Sequence, residues 1–415
     1  MTQDVDFLII GAGAAGIGAA RRLCSLGASP LVLEAADQVG GRAETYHAGG
    51  LALDLGCGWL HSAERNAWTR IAEDAGFAVD RRTPAWGRQY RDLGFPPADH
   101  AAASEAMARW AERLDDVSPA SDRASDALRP GDPWNDFIAA RTGYISGVGP
   151  ERISVADYLA YDEASSDENW RLPAGYGTLV AVSLPPSADL CTGVAVRRID
   201  IDGDRVAVAT GDGTVRARAV ILTVSTAVLA GGAIAMPAAL DPWRDAAARL
   251  PLGRNEKVFL EIVGDAPFED ETHVVGSPRS RATGSYYIRP LGAPVVECFL
   301  GGDGAAVLDD GPEAGFAFAL AELGGLFGAD IRRFLRPLKA THWSGLPLIG
   351  GGYSCALPGE AGARERLARP FDDRVFFAGE ATSRADFSTA HGAHDTGVRA
   401  ADEAFAAVAA LRAHA

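Results

Sequence analysis

The amino-terminal stretch leaves this chain little choice of fold. Asp6-Phe7-Leu8-Ile9-Ile10 is an apolar strand, followed at once by Gly11-Ala12-Gly13-Ala14-Ala15-Gly16 and by helical composition from Ala14 to Leu26. Glycines are needed where the chain turns, where backbone approaches a pyrophosphate, and where helix packs on strand. The amino terminus of the helix then faces the phosphates. A second strand, Pro30-Leu31-Val32-Leu33, ends at Glu34, the spacing at which a carboxylate reaches an adenosine ribose. A glycine-rich hexamer alone says little, because Gly and Ala crowd many turns. Strand, turn, helix, strand and acid in this order predict a dinucleotide site.

At 415 residues the chain is too long for one ordinary core and suits two domains. A net charge of −16 argues against a nucleic-acid partner and favours cationic small molecules. Cys24, Cys57, Cys191, Cys298 and Cys355 are scattered without a C-x-x-C pair, so neither a disulfide framework nor a metal site is predicted. There is no basic, apolar leader and no apolar run of bilayer length. The expectation is a soluble, cytoplasmic protein with no membrane partner; nothing sets its oligomeric state.

Past Glu34, Gly40-Gly41-Arg42 allows a close backbone approach and an arginine that reaches a phosphate or ribityl oxygen, or else an ordinary turn with a solvated arginine. Here the sequence resembles the FAD-binding half of the glutathione-reductase-like flavoproteins. Leu53 to His61 is rich in Gly and apolar residues, unlike a surface loop, and Asn66 to Ala75 has a helical apolar side of Trp68, Ile71 and Ala72. From about Arg81 the character changes. Pro84, Pro96 and Pro97 break the chain, a helix carries Met107, Trp110, Ala111 and Leu114, and Val117 to Pro133 reads as a solvated connection. Helical pieces follow at Trp134–Arg141 and Val155–Tyr161. Strands are predicted at Gly193–Ile201, Arg205–Thr210, Ala219–Val224, near Lys257–Val263 and Val295–Leu300, and at Arg374–Glu380; helices are predicted near Phe316–Phe327 and at Gly392–Leu411.

Five separated pieces resemble the flavin-containing amine oxidases, the family of monoamine oxidases, polyamine oxidases and histone lysine demethylases. They are Gly11–Gly16 with Glu34; Gly40-Gly41-Arg42; Asp54 to His61; Asn255-Glu256-Lys257; and Trp343 through the closing helix. On local sequence Lys257 reads as a solvated lysine. The resemblance makes it the lysine that holds a water beside flavin N5, where oxygen reacts. Tyr353, in Gly350-Gly351-Gly352-Tyr353-Ser354-Cys355, would flank the substrate amine with an aromatic face. Monoamine oxidases bond a cysteine just before that tyrosine to the flavin. Here the position is Gly352, so the FAD is expected to be non-covalent, with Cys355 a buried filler. Glu380, after Phe376-Phe377-Ala378-Gly379, would accept from ribityl hydroxyls, and Thr389 to Ala393 would open a helix at the pyrimidine edge of the ring.

Trp59-Leu60-His61 and Ser388-Thr389-Ala390-His391-Gly392-Ala393 look like the matching segments of animal polyamine oxidases, whose histidine lines the substrate channel. The residues expected to serve the reaction are therefore Lys257, Tyr353, His61 and Thr389. The expected cofactor contacts are Gly11, Gly13, Ala15, Gly16, Glu34, Ala35, Gly41, Arg42, Gly58, Trp59, Val196, Trp343, Gly379, Glu380, Thr389 and Ala390. Asp162, Glu163, Asp167 and Glu168 are candidates for gripping a distal amine, but a solvated acidic loop explains them too.

The resemblance implies an α/β chain with a glutathione-reductase-like, Rossmann-type FAD-binding domain and an inserted substrate domain of mixed sheet and helices. Residues 1–80, 190–237 and 365–415 would form the first, residues 81–189 and 238–364 the second. It implies an FAD-dependent amine oxidase: hydride passes from the carbon next to nitrogen, the imine is hydrolysed to aldehyde or ketone, and molecular oxygen returns hydrogen peroxide. A polyamine-type substrate is expected, with a monoamine, amino acid or cyclic amine as the alternative. A catalytically silent FAD-binding protein is a more distant reading.

Overall fold

The structure, a computed structural model, describes residues 2–116 and 119–414. Val117 and Ser118, the start of the expected solvated connection, lie outside the described residues. The first strand, Thr2–Ile10, sits at the centre of a seven-stranded sheet. It pairs in parallel with Leu31–Leu33 on one side and Thr214–Leu222 on the other, and Asp189–Cys191 and Val375–Phe377 extend the parallel part. An antiparallel hairpin, Arg198–Asp202 with Arg205–Ala209, pairs with the lower half of Thr214–Leu222.

Both faces of the parallel sheet's middle are covered, which is why Phe7–Ile10, Leu31–Leu33, Ala219–Leu222 and Val375–Phe377 read as unbroken apolar runs. Phe7, Ile9, Val32, Ile221 and Phe376 pack on one face against Ala400, Ala401 and Ala404 of the closing helix, Ala390–His414. Leu8, Ile10, Leu33, Val220 and Phe377 pack on the other against Leu229, Leu240 and Leu367. The closing helix also crosses the first helix, Ala14–Ser25, at backbone contact. A Cβ on Gly397 would lie 2.0 Å from the Ala15 carbonyl oxygen, so only glycine fits there.

A second, fully antiparallel sheet takes the strands in the order Thr272–Val275, Ser285–Ile288, Val295–Gly301, Asn255–Ile262, Leu335–Ala340. Strand alternation divides its residues cleanly. Val258, Leu260, Val296, Cys298 and Leu300 are buried with Phe316, Ala319 and Leu323 of the helix Pro312–Phe327. Lys257, Phe259, Glu297, Phe299, Ser285, Tyr287 and His273 face the other way and line a cavity. Helices Asn135–Ser146 and Val155–Ala164 close that cavity's far side, and Pro97–Asp116 packs with them in a small core of Trp110, Leu114, Ile138 and Tyr158.

Several predicted bounds shift for local reasons. Pro97 opens its helix rather than breaking the chain, since a first-turn proline has no intrahelical bond to lose. The strand expected from Gly193 begins at Arg198, because residues 193–197 cross over the cavity, with Gly193 in the left-handed region. The strand expected to run to Glu380 stops at Phe377, and Gly379, at φ +137°, turns the chain out of the sheet. Thr272–Val275, Ser285–Ile288 and Leu335–Ala340 were not anticipated. The last is an edge strand that carries Pro337 at a register shift. Among the described residues no helix is long and apolar enough to cross a membrane.

Candidate active site

The glycine turn, the second sheet and the Gly350–Cys355 segment surround one cavity of about 1330 Å³. That exceeds the roughly 300–1,000 Å³ of an ordinary small-ligand pocket and leaves room for a dinucleotide with a substrate. At the nucleotide end, the first intrahelical bond runs from Ile17 N–H to Gly13 O at 2.9 Å, so the amides ahead of it have no partner in the helix. A Cβ on Gly16 would lie 1.9 Å from Gly11 O, which keeps the turn tight. Glu34 accepts the amides of Ala12 at 2.7 Å and Ala36 at 2.9 Å, which fixes its carboxylate at the end of Leu31–Leu33. A carboxylate offers about four lone-pair directions, so the acid can still accept from a ribose. This donor set fits an adenine dinucleotide; Ala15, Ala35, Gly41 and Val196 line the same end.

Beyond the turn, Arg42 donates to the Gly352 carbonyl at 2.5 Å and pairs with Glu380 at 3.1 Å. Glu380 is buried and also accepts Ser354 N–H, Ser354 Oγ–H and Ser388 N–H, so its expected ribityl contact shares the carboxylate with four protein donors. Burial pushes this carboxyl up, but Arg42 and Arg364 together hold it below the ordinary glutamate value. Arg364 is itself buried and makes a bidentate pair with Asp157 at 2.6 and 2.8 Å, while donating to Ser354 Oγ. The segment that carries Tyr353 thus rests on a buried ionic network, Asp157–Arg364–Ser354–Glu380–Arg42.

Lys257 is buried on Asn255–Ile262, an inner strand of the second sheet. Its ammonium donates to the Asp54 carbonyl at 2.8 Å and pairs with Glu297 at 2.8 Å. The Asp54 carboxylate in turn accepts Thr45 Oγ1–H and the amides of Tyr176 and Gly177, tying the Leu51–Asp54 strand to the Tyr176–Val182 helix. Gly58 gives the ammonium its space: a Cβ there would sit 3.4 Å from Lys257 Nζ. Trp343 lies against Phe259 and donates its indole N–H to Leu55 O at 3.3 Å.

Tyr353 lines the cavity and donates its hydroxyl to the Tyr144 carbonyl, and burial pushes its phenol far above its ordinary value. Thr389 lines the cavity too, but its hydroxyl is committed. It donates to Asp386 O at 2.7 Å and caps the closing helix by accepting Gly392 N–H at 3.0 Å. Ala390 O accepts the Trp68 indole N–H, which anchors the same helix start. His61 stacks on Trp86 and holds Asn169 through Nδ1 at 2.6 Å; Trp59 packs on Trp86 and Tyr287, with Arg171 over both Trp59 and Tyr287.

Of the four acids considered for a distal amine, Asp162 lines the cavity, on the helix Val155–Ala164. Glu168 is taken by the Trp170 indole N–H. Glu297, Asn169, Arg141, Asp157 and Arg364 were not singled out from the sequence. Glu297 lies directly across from Phe259 in the strand register, a relation that no local motif records. Cys355 is buried against Trp110 and Tyr158, as a filler would be. Among the described residues no cluster of His, Cys, Asp and Glu can hold a metal ion.

Comparison with known proteins places this arrangement. Residues 9–75 match the NAD(P)-binding Rossmann-like domain. Over 95% of its length the chain is 28% identical to polyamine oxidase 4 of Oryza sativa subsp. japonica, of which it covers 88%. It is 27% identical to human lysine-specific histone demethylase 2, covering 97% of this chain and 53% of that one. A solved structure of wild-type putrescine oxidase bound to putrescine superposes with a TM-score of 0.79 at 18% identity, over 98% of this chain and all of that one. Residues 98–404, well over half the chain, match the model described as flavin containing amine oxidoreductase, and the chain belongs to that family as an FAD-dependent amine oxidase.

Proposed function

We propose that this oxidase acts on a polyamine-type substrate, with molecular oxygen as acceptor and hydrogen peroxide as product. The observation that carries the reading is the meeting, in one cavity, of the glycine turn, the buried Lys257 and Tyr353, with the Asp162 carboxylate on the wall of the helical side. FAD supplies the hydride acceptor when bound. The chain's own residues do the rest. Tyr353, with Trp59 and Tyr287, offers aromatic faces to an amine. Lys257, held by Asp54 O and Glu297, is a fixed cation where negative charge develops as oxygen is reduced. Asp162 makes no ion pair among the described residues and is free to take a distal ammonium. Residues 1–80, 190–237 and 365–415 serve the cofactor in this reading, and 81–189 and 238–364 the substrate.

The test is peroxide release across spermine, spermidine, their acetylated forms, benzylamine and tyramine. The polyamines should give the higher kcat/KM, and His61→Ala should cost them more than it costs the monoamines. Preference for an aromatic monoamine would remove the polyamine reading and leave amine oxidation. A second reading, an amine that carries a carboxylate, is favoured by Arg141. Its guanidinium lines the cavity beside Tyr144, Tyr158 and His273 and makes no hydrogen bond or ion pair among the described residues. Amino acids added to the panel, with Arg141→Met alongside, decide between the two.

The flavin is held without a covalent bond in this reading. Gly352 faces Asn255, and Cys57, the cysteine that does line the cavity, has its thiol pushed up to about 12 by burial and by Asp54. Acid precipitation should release free FAD into the supernatant; flavin retained on the precipitated chain would show a covalent link.

A further inference from the structure

His61 and Asn169 are brought together by backbone. Leu60 and Trp170 form an antiparallel bridge, Leu60 N–H to Trp170 O at 2.8 Å and Trp170 N–H to Leu60 O at 3.2 Å, so the next residue on one segment faces the previous residue on the other. Asn66 Nδ2–H donates to the His61 carbonyl at 3.0 Å and pins the segment from the other side. Two further distances fix the chemistry. Asn169 Nδ2 lies 2.9 Å from the Asp167 carbonyl, and Asn169 Oδ1 lies 2.6 Å from His61 Nδ1. A carbonyl only accepts, so the amide NH₂ must face Asp167 and the amide oxygen must face the ring. An amide oxygen also only accepts, so Nδ1 carries the proton. In a neutral imidazole Nε2 then bears a lone pair. Nε2 has no hydrogen-bond partner among the described residues, and the ring lines the cavity.

We propose that Asn169 is a positioning residue for His61: it locks the ring as the Nδ1–H tautomer and leaves Nε2 as an uncharged acceptor for the N–H of the substrate amine. The proposal rests on the amine-oxidase reading and adds a residue that lies in none of the sequence motifs. Its value to the reaction follows from the electron count. The nitrogen must keep its lone pair to form the C=N bond as hydride leaves, so the group beside it has to accept an N–H without offering one of its own. The opposite tautomer, with the proton on Nε2, would donate to that lone pair and compete with imine formation. No proton transfer is assigned to the ring.

The charges around it support a neutral ring. Burial lowers the His61 pKa first; the Asn169 hydrogen bond opposes this, and His391 on the closing helix and Lys257 on Asn255–Ile262 lower it further. On its own segment, Glu168 accepts the Trp170 indole N–H, and among the described residues no carboxylate is hydrogen-bonded to the imidazole.

The decisive measurement is ¹⁵N NMR of the histidine-labelled holoenzyme, with His61→Gln to assign the resonance. At neutral pH the His61 signals should show a protonated Nδ1 and an unprotonated Nε2; a proton on Nε2 overturns the proposal whatever the activity. Asn169→Asp supplies the kinetic arm. A carboxylate on Nδ1–H favours the imidazolium, so the ring pKa rises and the acid limb of kcat/KM for the amine should move up by about one pH unit or more. The neutral-pH value should fall about tenfold or more, with the rate of reaction with oxygen unchanged. Asn169→Leu should lose a similar factor while the limb moves, in the opposite direction, to lower pH, because the hydrogen bond that raises the ring's pKa is gone. Superimposable profiles for wild type and Asn169→Asp would reduce Asn169 to a structural contact. FAD content and melting temperature of both variants show whether they fold. If the wild type oxidises no amine, the amine reading fails while the NMR result still decides the tautomer.

Discussion

Lys257 shows what a single residue's sequence can and cannot carry. Its strand, Asn255–Ile262, is legible from alternation, and alternation alone puts Phe259 on its side and Val258 on the other, as found. Its partners are not legible, because Asp54 is 203 residues away and Glu297 is reached only through the register of the sheet. Those partners make a prediction. Lys257→Met keeps most of the volume and removes the cation, so the reaction with oxygen should slow by about tenfold or more, equivalent to some 1.4 kcal/mol of barrier. Reduction by substrate should change much less. Stopped-flow measurement of the two half-reactions separates these, and unchanged reaction with oxygen would leave the lysine a structural tie between Asp54 and Glu297. Thr389 makes the opposite point. Its place at a helix start was readable, but its hydroxyl is spent on the cap, so Thr389→Ala should act first through the helix, at about 1 kcal/mol of stability.

Among the elements, the Gly350–Cys355 segment depends on something the sequence hides. Arg364 and Asp157 are both buried, 207 residues apart, and neither sits in a recognisable motif. Removing one partner leaves the other charge buried and alone, at a cost of about 3–5 kcal/mol. Arg364→Met should therefore lower the melting temperature of the holoenzyme by roughly 5 °C or more. Adding Asp157→Leu to it should restore part of the loss, since the second charge is gone. Glu380 adds a pH dependence to the same network. Its folded-state pKa is depressed, so its stabilisation is fully present above the ordinary value of 4.5 and is lost as pH falls through the folded value. With FAD saturating, the melting temperature of wild type should fall more steeply below pH 4.5 than that of Glu380→Gln. Parallel slopes would show that Glu380 does not carry the acid sensitivity.

For the whole molecule, the parallel sheet was readable except for its short, exposed edge strand Asp189–Cys191, and the antiparallel one largely was not; burial explains the difference. The parts of strands covered on both faces, such as Phe7–Ile10 and Ala219–Leu222, are continuous apolar runs even when about 200 residues of chain separate them. Of the strands not anticipated, Thr272–Val275 and Ser285–Ile288 have one face on the cavity and carry His273, Ser285 and Tyr287 where a pattern search wants apolar or solvated residues, and Leu335–Ala340 is an edge strand with Pro337 at a register shift. The overall charge was readable as well, and it sets the last prediction. At −16 the protein attracts a polycation from a distance. Salt screens this attraction, with a Debye length of about 10 Å at 0.1 M ionic strength. A substrate with three or four charges feels the field several times more strongly than one with a single charge. If a polyamine is the substrate, kcat/KM for spermine should fall steeply as ionic strength rises, while that for benzylamine stays nearly flat and kcat changes little for either. The measurement is peroxide production at low substrate over a salt series. A flat profile for spermine would mean that the acidic surface plays no part in capture; an amine with one carboxylate, a zwitterion of no net charge, should itself show little dependence on salt.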